Sequence, residues 1–176
     1  MFSSNTIIGN QEWCSLPELG VHAIKVRVDS GAATSAIHAT NITEFEQDGQ
    51  SWVEYELQPL TEDQQIVVKC QSRVLKKRRI KSSNGDVESR YVIKTPIKLS
   101  RKQWDIEVTL TNRDEMDFRM LLGRQAMEDD ILISPAREFL LGDKSLQEIQ
   151  KMYQKKQQSV QGFLRKLGRI VKGKLS

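Results

Sequence analysis

Long apolar runs are missing from this 176-residue sequence. No stretch approaches the roughly 18 to 20 apolar residues that a membrane-spanning helix needs, so no membrane insertion is expected. Cysteine is equally scarce. Cys14 and Cys70 have neither CxxC spacing nor enough companions for a disulfide framework, and they read as reduced, partly buried thiols. Histidine is limited to His22 and His38, no HExxH pair occurs, and no GxxxxGK(S/T) loop is present to cradle nucleotide phosphates. Neither a metal nor any other cofactor is therefore expected. The opening MFSSNTIIGNQEW lacks the basic flank, apolar stretch and small-residue cleavage site of a secretory leader, which favours a cytoplasmic protein.

What the chain does have is length for one domain plus an extension, and an abundance of charge. The net charge of +4 is modest, but the basic residues gather in two places, which makes an acidic partner worth considering.

Most of the sequence reads as β-structure. TIIGNQEWC, residues 6–14, and HAIKVRVD, residues 22–29, have strand patterning, the second with Ile24, Val26 and Val28 alternating. EFEQDGQSWVEYEL forms an extra hairpin over 44–58 that turns at Asp48-Gly49. IVVKCQSRVLKKRRIK and VESRYVIKTPIKL flank Asn84-Gly85, the strongest short hairpin signal in the chain, giving a hairpin tip over about 79–92. WDIEVTLTN alternates cleanly, Met120-Leu121-Leu122-Gly123 ends a buried strand, and RQAMED begins a short helix. The β domain is placed at 1–142. In the remainder, 143–176, Ser145 and Glu148 fit a capping box, and Val160, Phe163, Leu164, Leu167, Ile170 and Val171 have helical spacing among lysines and arginines. This is a basic amphipathic helical extension.

The chemistry centres on Asp29-Ser30-Gly31. Such a triplet alone is weak, since chance supplies an Asp-Ser/Thr-Gly match in about one chain in ten of this size. Its context is stronger: an alternating strand delivers Asp29 to the small-residue run SGAATSA, where a tight loop is expected.

The stretches EWCSLPELG, IKVRVDSGAATSAIHA, RRIKSSNGDVESRYVIKTPIKL, WDIEVTLTNRDEMDFRMLLGRQAM and REFLLG together resemble the bacterial retropepsin-like aspartic peptidase family formerly labelled "ATP-dependent zinc protease", RimB type. The resemblance implies a single acid-protease lobe, mainly β, that is completed as a homodimer. Asp29 would be catalytic and share one proton with its symmetry mate. Ser30 would lock the two loops through its hydroxyl, while Gly31 and Ala32 let the water and substrate backbone approach. Leu122 and Gly123 would close the site strand, and Ser83, Asn84 and Gly85 would tip a flap. The family triplet usually has Thr where this chain has Ser30, a change that keeps the hydroxyl, and often Arg where it has Ala33, so that an arginine at this position cannot serve in substrate binding here.

The resemblance further implies trimming of glutamates from the C-terminal tail of a small-subunit ribosomal protein, opposite a RimK-type glutamate ligase. Lys76, Lys77, Arg78, Arg79 and Lys81 on the strand entering the flap, Arg90 on the return strand and Arg124 after Gly123 are the candidate carboxylate partners. Strand alternation sends about half of the flap cations towards a bound tail; a solvated basic edge that discourages strand aggregation is the competing explanation. The rival function is a non-catalytic ribosome- or RNA-associated basic binding module, although no RNA-binding signature is recognisable. The extension is open to contact with the ribosome, the ligase or an anionic membrane surface, with an ordinary solvated or dimer-packing helix favoured over the membrane.

Overall fold

The structure, a computed structural model, describes residues 5–81, 87–112, 117–127 and 129–154, without the side chains of Ile80, Lys81 and Val87. The flap tip Ser83-Asn84-Gly85 and the basic residues beyond 154 lie outside the described residues. The chain divides into two units, Met1–Asp143 and Lys144–Ser176.

Alternation builds the first unit. In β3 (Val21–Asp29) Ile24, Val26 and Val28 are buried while Lys25 and Arg27 between them are more exposed. β3 pairs antiparallel with β2 (Gln11–Leu16). On its other side it runs parallel to β11 (Met120–Gly123), which in turn lies beside β4 (Ser35–His38). β4 is parallel to β10 (Lys102–Thr111), which forms a long antiparallel hairpin with β9 (Val87–Leu99). β9 returns to β2 through the Ser15–Lys98 pair. Six strands thus close a ring in the order β10, β4, β11, β3, β2, β9. Closure leaves these strands no free edge, and the interior fills with large side chains, among them Leu16, Ile24, Ile37, Ile93, Leu110 and Met120, all fully buried. Each such burial stabilises the lobe by about 1.5–3 kcal/mol before entropy is counted. Cys14 belongs to this core, and burial pushes its thiol up to about 12, so it is held as a neutral, inert group.

Three expectations from the sequence need correction. The single strand read over 6–14 is two. β1 (Thr6–Gly9) leaves the barrel to pair in parallel with β12 (Ile131–Ser134), and Gly9 is needed at the break because an added Cβ would lie 2.6 Å from the Arg137 carbonyl oxygen.

The run IVVKCQSRVLKKRRIK is also two strands in different sheets. β7 (Val68–Arg73) completes a three-stranded sheet with β5 (Thr40–Gln47) and β6 (Gln50–Leu57), whereas β8 (Lys76–Lys81) pairs with β9. The transfer takes two residues: Val74 N donates to Ser51 O in one sheet and Leu75 N to Val92 O in the other. Finally, β10 alternates only as far as Glu107, and Val108 to Thr111, beside β4, are all buried.

The β5–β6 hairpin turns at Asp48-Gly49 as expected, both residues having positive φ, 53° and 69°, the backbone that a two-residue hairpin turn demands. Within RQAMED, Arg124–Ala126 form a 3-10 turn.

In the second unit a helix spans residues 146–154. Its N-terminus carries the reciprocal bonds of a capping box: Ser145 N donates to Glu148 Oε2 at 2.8 Å and Glu148 N to Ser145 Oγ at 3.3 Å. Among the described residues no helix is long and apolar enough to cross a membrane.

Candidate active site

Asp29 is the last residue of β3, half-buried, where the apolar alternation gives way to small residues. Its Oδ1 accepts from Gly31 N at 3.0 Å and Ala32 N at 3.1 Å. These bonds fold the loop back over the carboxylate. The loop is close-packed at Gly31, where an added Cβ would lie 3.1 Å from Asp29 Oδ1.

β11 holds this loop in place. It inserts between β3 and β4, with Leu122 opposite Val28 and Gly123 opposite Asp29. Gly123 N donates to Ser35 Oγ at 3.1 Å in a buried bond. The next two residues clamp the loop carbonyls in turn: Arg124 N donates to Ala32 O at 2.9 Å and Gln125 N to Ala33 O at 3.0 Å. The Arg124 guanidinium reaches the remaining two, Gly31 O at 2.9 Å and Ser30 O at 3.5 Å. Four successive carbonyls, from Ser30 to Ala33, therefore receive donors from Arg124 and Gln125. The sequence marked Arg124 only as a carboxylate partner; its bonds to the loop come from a contact 93 residues away in sequence that no local pattern announces. Ser30 itself is exposed beside Asp29, and Leu122 is buried beneath the site.

The basic residues around the hairpin are distributed among carboxylates of the same chain. On one side of β8, Lys76 Nζ lies 2.5 Å from Glu107 Oε2 and Arg78 3.9 Å from the same oxygen. On the other, Lys77 bonds Glu44 at 2.7 Å and sits 5.2 Å from the centre of the Tyr91 ring. That bond is the main reason why the Lys77 pKa is raised and the Glu44 pKa lowered, with Ser51 helping to hold Glu44 ionised. Arg90 pairs with Glu88 at 2.7 Å, and Arg79 is exposed. The side chain of Lys81 is outside the described set. His38 is buried in β4. Among the described residues no group of three His, Cys, Asp or Glu side chains is placed to hold a metal ion.

Known proteins share this sequence and architecture. Residues 7–144 match the family described as RimB-like, "Retropepsin-like aspartic endopeptidase RimB". A "Probable alpha-L-glutamate ligase" of Desulfotalea psychrophila is 56% identical over 151 residues, which is 86% of this chain and 32% of that protein. A protein of the same description from Shewanella pealeana is 50% identical over 153 residues, 87% of this chain and 33% of its own length. The chain thus spans about a third of the length of these curated relatives. Among solved structures, a Legionella pneumophila protein of unknown function (DUF785) superposes with a TM-score of 0.67 at 29% identity, covering 78% of this chain and 99% of that one. Since the matched span takes in the whole barrel, the Asp29 loop and the strand that clamps it, the chain belongs to the RimB-like family of retropepsin-like aspartic endopeptidases.

Proposed function

We propose that this protein is an aspartic peptidase that works as a homodimer and removes glutamates from an acidic peptide tail, that of a small-subunit ribosomal protein being the favoured substrate. The observation that carries the reading is the Asp29 carboxylate, half-exposed on a loop whose four carbonyls are all clamped by Arg124 and Gln125. Such rigidity is what a catalytic group needs to act without reorganising.

One aspartate per chain is half of the required machinery. Two copies would bring two Asp29 carboxylates to roughly 3 Å, where both cannot ionise, so that one proton is shared. The ionised member takes a proton from the bridging water as its oxygen attacks the peptide carbonyl, and the protonated member gives its proton to the carbonyl oxygen. Collapse of the resulting diol, with a proton passed to the amine, breaks the C–N bond. The two chains are equivalent, so the pKa values belong to the pair.

Dimerisation is supported by Ile7 and Leu132, partners in the β1–β12 register, which stand 54% and 47% exposed while the neighbouring Ile8 is fully buried. The glutamate substrate is supported by the description of the relatives as probable alpha-L-glutamate ligases, since their chains combine that description with a segment like this one. A cytoplasmic site of action, opposite a RimK-type ligase, accords with that pairing. The rival binding-module reading is weaker, because Lys76, Lys77 and Arg90 are already closely paired with carboxylates of their own chain.

The test is direct. A peptide extended at its C-terminus by several glutamates is incubated with wild type and with Asp29→Asn, and its mass is followed. Stepwise loss of glutamate with wild type alone is expected; loss with both proteins, or with neither, would sink the proposal.

A further inference from the structure

A cavity of about 580 Å³ opens beside the Asp29 loop, within the size range of ligand-binding clefts. Thr34 and Ser35 form one part of its lining and Gln125 another, so its wall is continuous with the loop and with the strand that clamps it. Leu75, Ile106 and Ala126 add apolar surface, and the other five lining residues are charged. Lys76 and Arg78 come from β8, Lys94 from β9, and Asp105 and Glu107 from β10. Three cations against two carboxylates leave a surplus of one positive charge (3 − 2 = +1).

The pairing is uneven. Lys94 lies 3.1 Å from Asp105, and Lys76 holds Glu107 at 2.5 Å, but Arg78 shares that same Glu107 oxygen from 3.9 Å. At that distance Arg78 is not hydrogen-bonded to Glu107, so its forked guanidinium keeps donors for a second carboxylate. A sheet-surface ladder of charges would explain paired residues on a flat face, where each pair contributes about 0–1 kcal/mol. It does not explain a concave site with a surplus cation beside the proposed reaction centre.

We infer that this cavity is a specificity pocket for the carboxylate side chain of an extended peptide, with Arg78 and Lys94 as its ligands. Glu107 and Asp105 hold the cations in place while the pocket is empty. Because two carboxylates are already present, the pocket takes up one further acidic group and discriminates it from its neutral amide. The pocket deepens the peptidase reading and rests on it for its purpose, since an occupant lies against the loop that carries Asp29; its ligand preference is measurable without catalysis.

The full-length Asp29→Asn protein is titrated against a fluorescein-labelled peptide ending in four glutamates and against the same peptide ending in four glutamines, followed by anisotropy. The glutamate peptide should bind at least about tenfold more tightly, the size expected of one charge-assisted contact. That advantage should largely vanish when Arg78→Ala or Lys94→Ala is added, and persist when the exposed Arg101→Ala is added as a control for general charge. Thermal midpoints establish that each variant is folded. Equal affinity for the two peptides, or the same loss with Arg101→Ala as with Arg78→Ala, overturns the pocket. Cleavage by the wild type separates the two ideas. If neither peptide is cut while the preference tracks Arg78 and Lys94, the peptidase reading fails and the pocket stands. If both are cut at equal rates, the pocket fails and the peptidase stands.

Discussion

Gly123 stands opposite Asp29 in parallel register, and a Cβ added to it would lie 2.5 Å from the carbonyl carbon of Thr34. The backbone of Thr34 and Ser35, where the Asp29 loop runs into β4, blocks that position. Gly123→Ala must therefore push β11 away from β4, disturbing the Gly123–Ser35 bond and the carbonyl clamp that follows it. Overpacking of this kind costs about 1–3 kcal/mol, and a displacement near 1 Å at a reacting group can cost about 100-fold in rate. Urea denaturation should give a lower midpoint, and cleavage of the glutamate-extended peptide should fall by about two orders of magnitude. Unchanged values in both assays would mean that the strand yields without moving the loop.

Local pattern made much of this legible. The alternation that ends at Asp29, the Asp48-Gly49 turn and the Ser145–Glu148 capping box depend on neighbours in sequence, and each has its expected form. The division of residues 68–81 between two sheets was hidden because β-patterning continues through Val74 and Leu75 while their donors turn to different partners. Arg124 and Glu12 were hidden for a related reason. Their roles arise from backbone groups about a hundred residues away, brought near only when the barrel closes.

Glu12 offers the second prediction. Fully buried on β2, it accepts from Gly9 N at 2.7 Å and Leu140 N at 2.9 Å through Oε1, and from Leu141 N at 3.2 Å through Oε2. It thereby joins the end of β1 to the segment after β12. Glu12→Ala leaves three donors short of their acceptor, and an unmet buried group costs about 1–3 kcal/mol. Destabilisation above about 3 kcal/mol is expected by urea denaturation, with Glu12→Gln milder because one acceptor oxygen remains. A loss under about 1 kcal/mol for the alanine variant would show that water replaces the carboxylate.

The β1–β12 pair gives the third. Ile7 and Leu132 are register partners and both are exposed, while Ile8 and Ile133 lie against the core. If that outer face meets a second copy, the double variant Ile7→Lys and Leu132→Lys places like charges within the contact. Sedimentation should then report a monomer, with peptide cleavage lost and circular dichroism unchanged. A monomer that still cleaves would rule out a site assembled from two half-sites, and an unaltered dimer would place the contact elsewhere.

Glu44 and Lys77 join the β5–β6 hairpin to β8. The Lys77 hydrogen bond is the largest cause of the lowered Glu44 pKa. A depressed carboxylate stabilises the fold fully above its unfolded value, near 4.5, and that contribution is lost as pH falls through the folded pKa. Lys77 has the opposite sign: its contribution is complete below its unfolded value of 10.5 and is lost as pH rises through the raised folded one. The contact is therefore intact throughout the neutral range. Lys77→Met should move the Glu44 carboxyl titration, followed by NMR, up towards 4.5, and should loosen amide-exchange protection along β8 at pH 7. An unmoved Glu44 titration would mean that Ser51 and Tyr91 hold the carboxylate without Lys77.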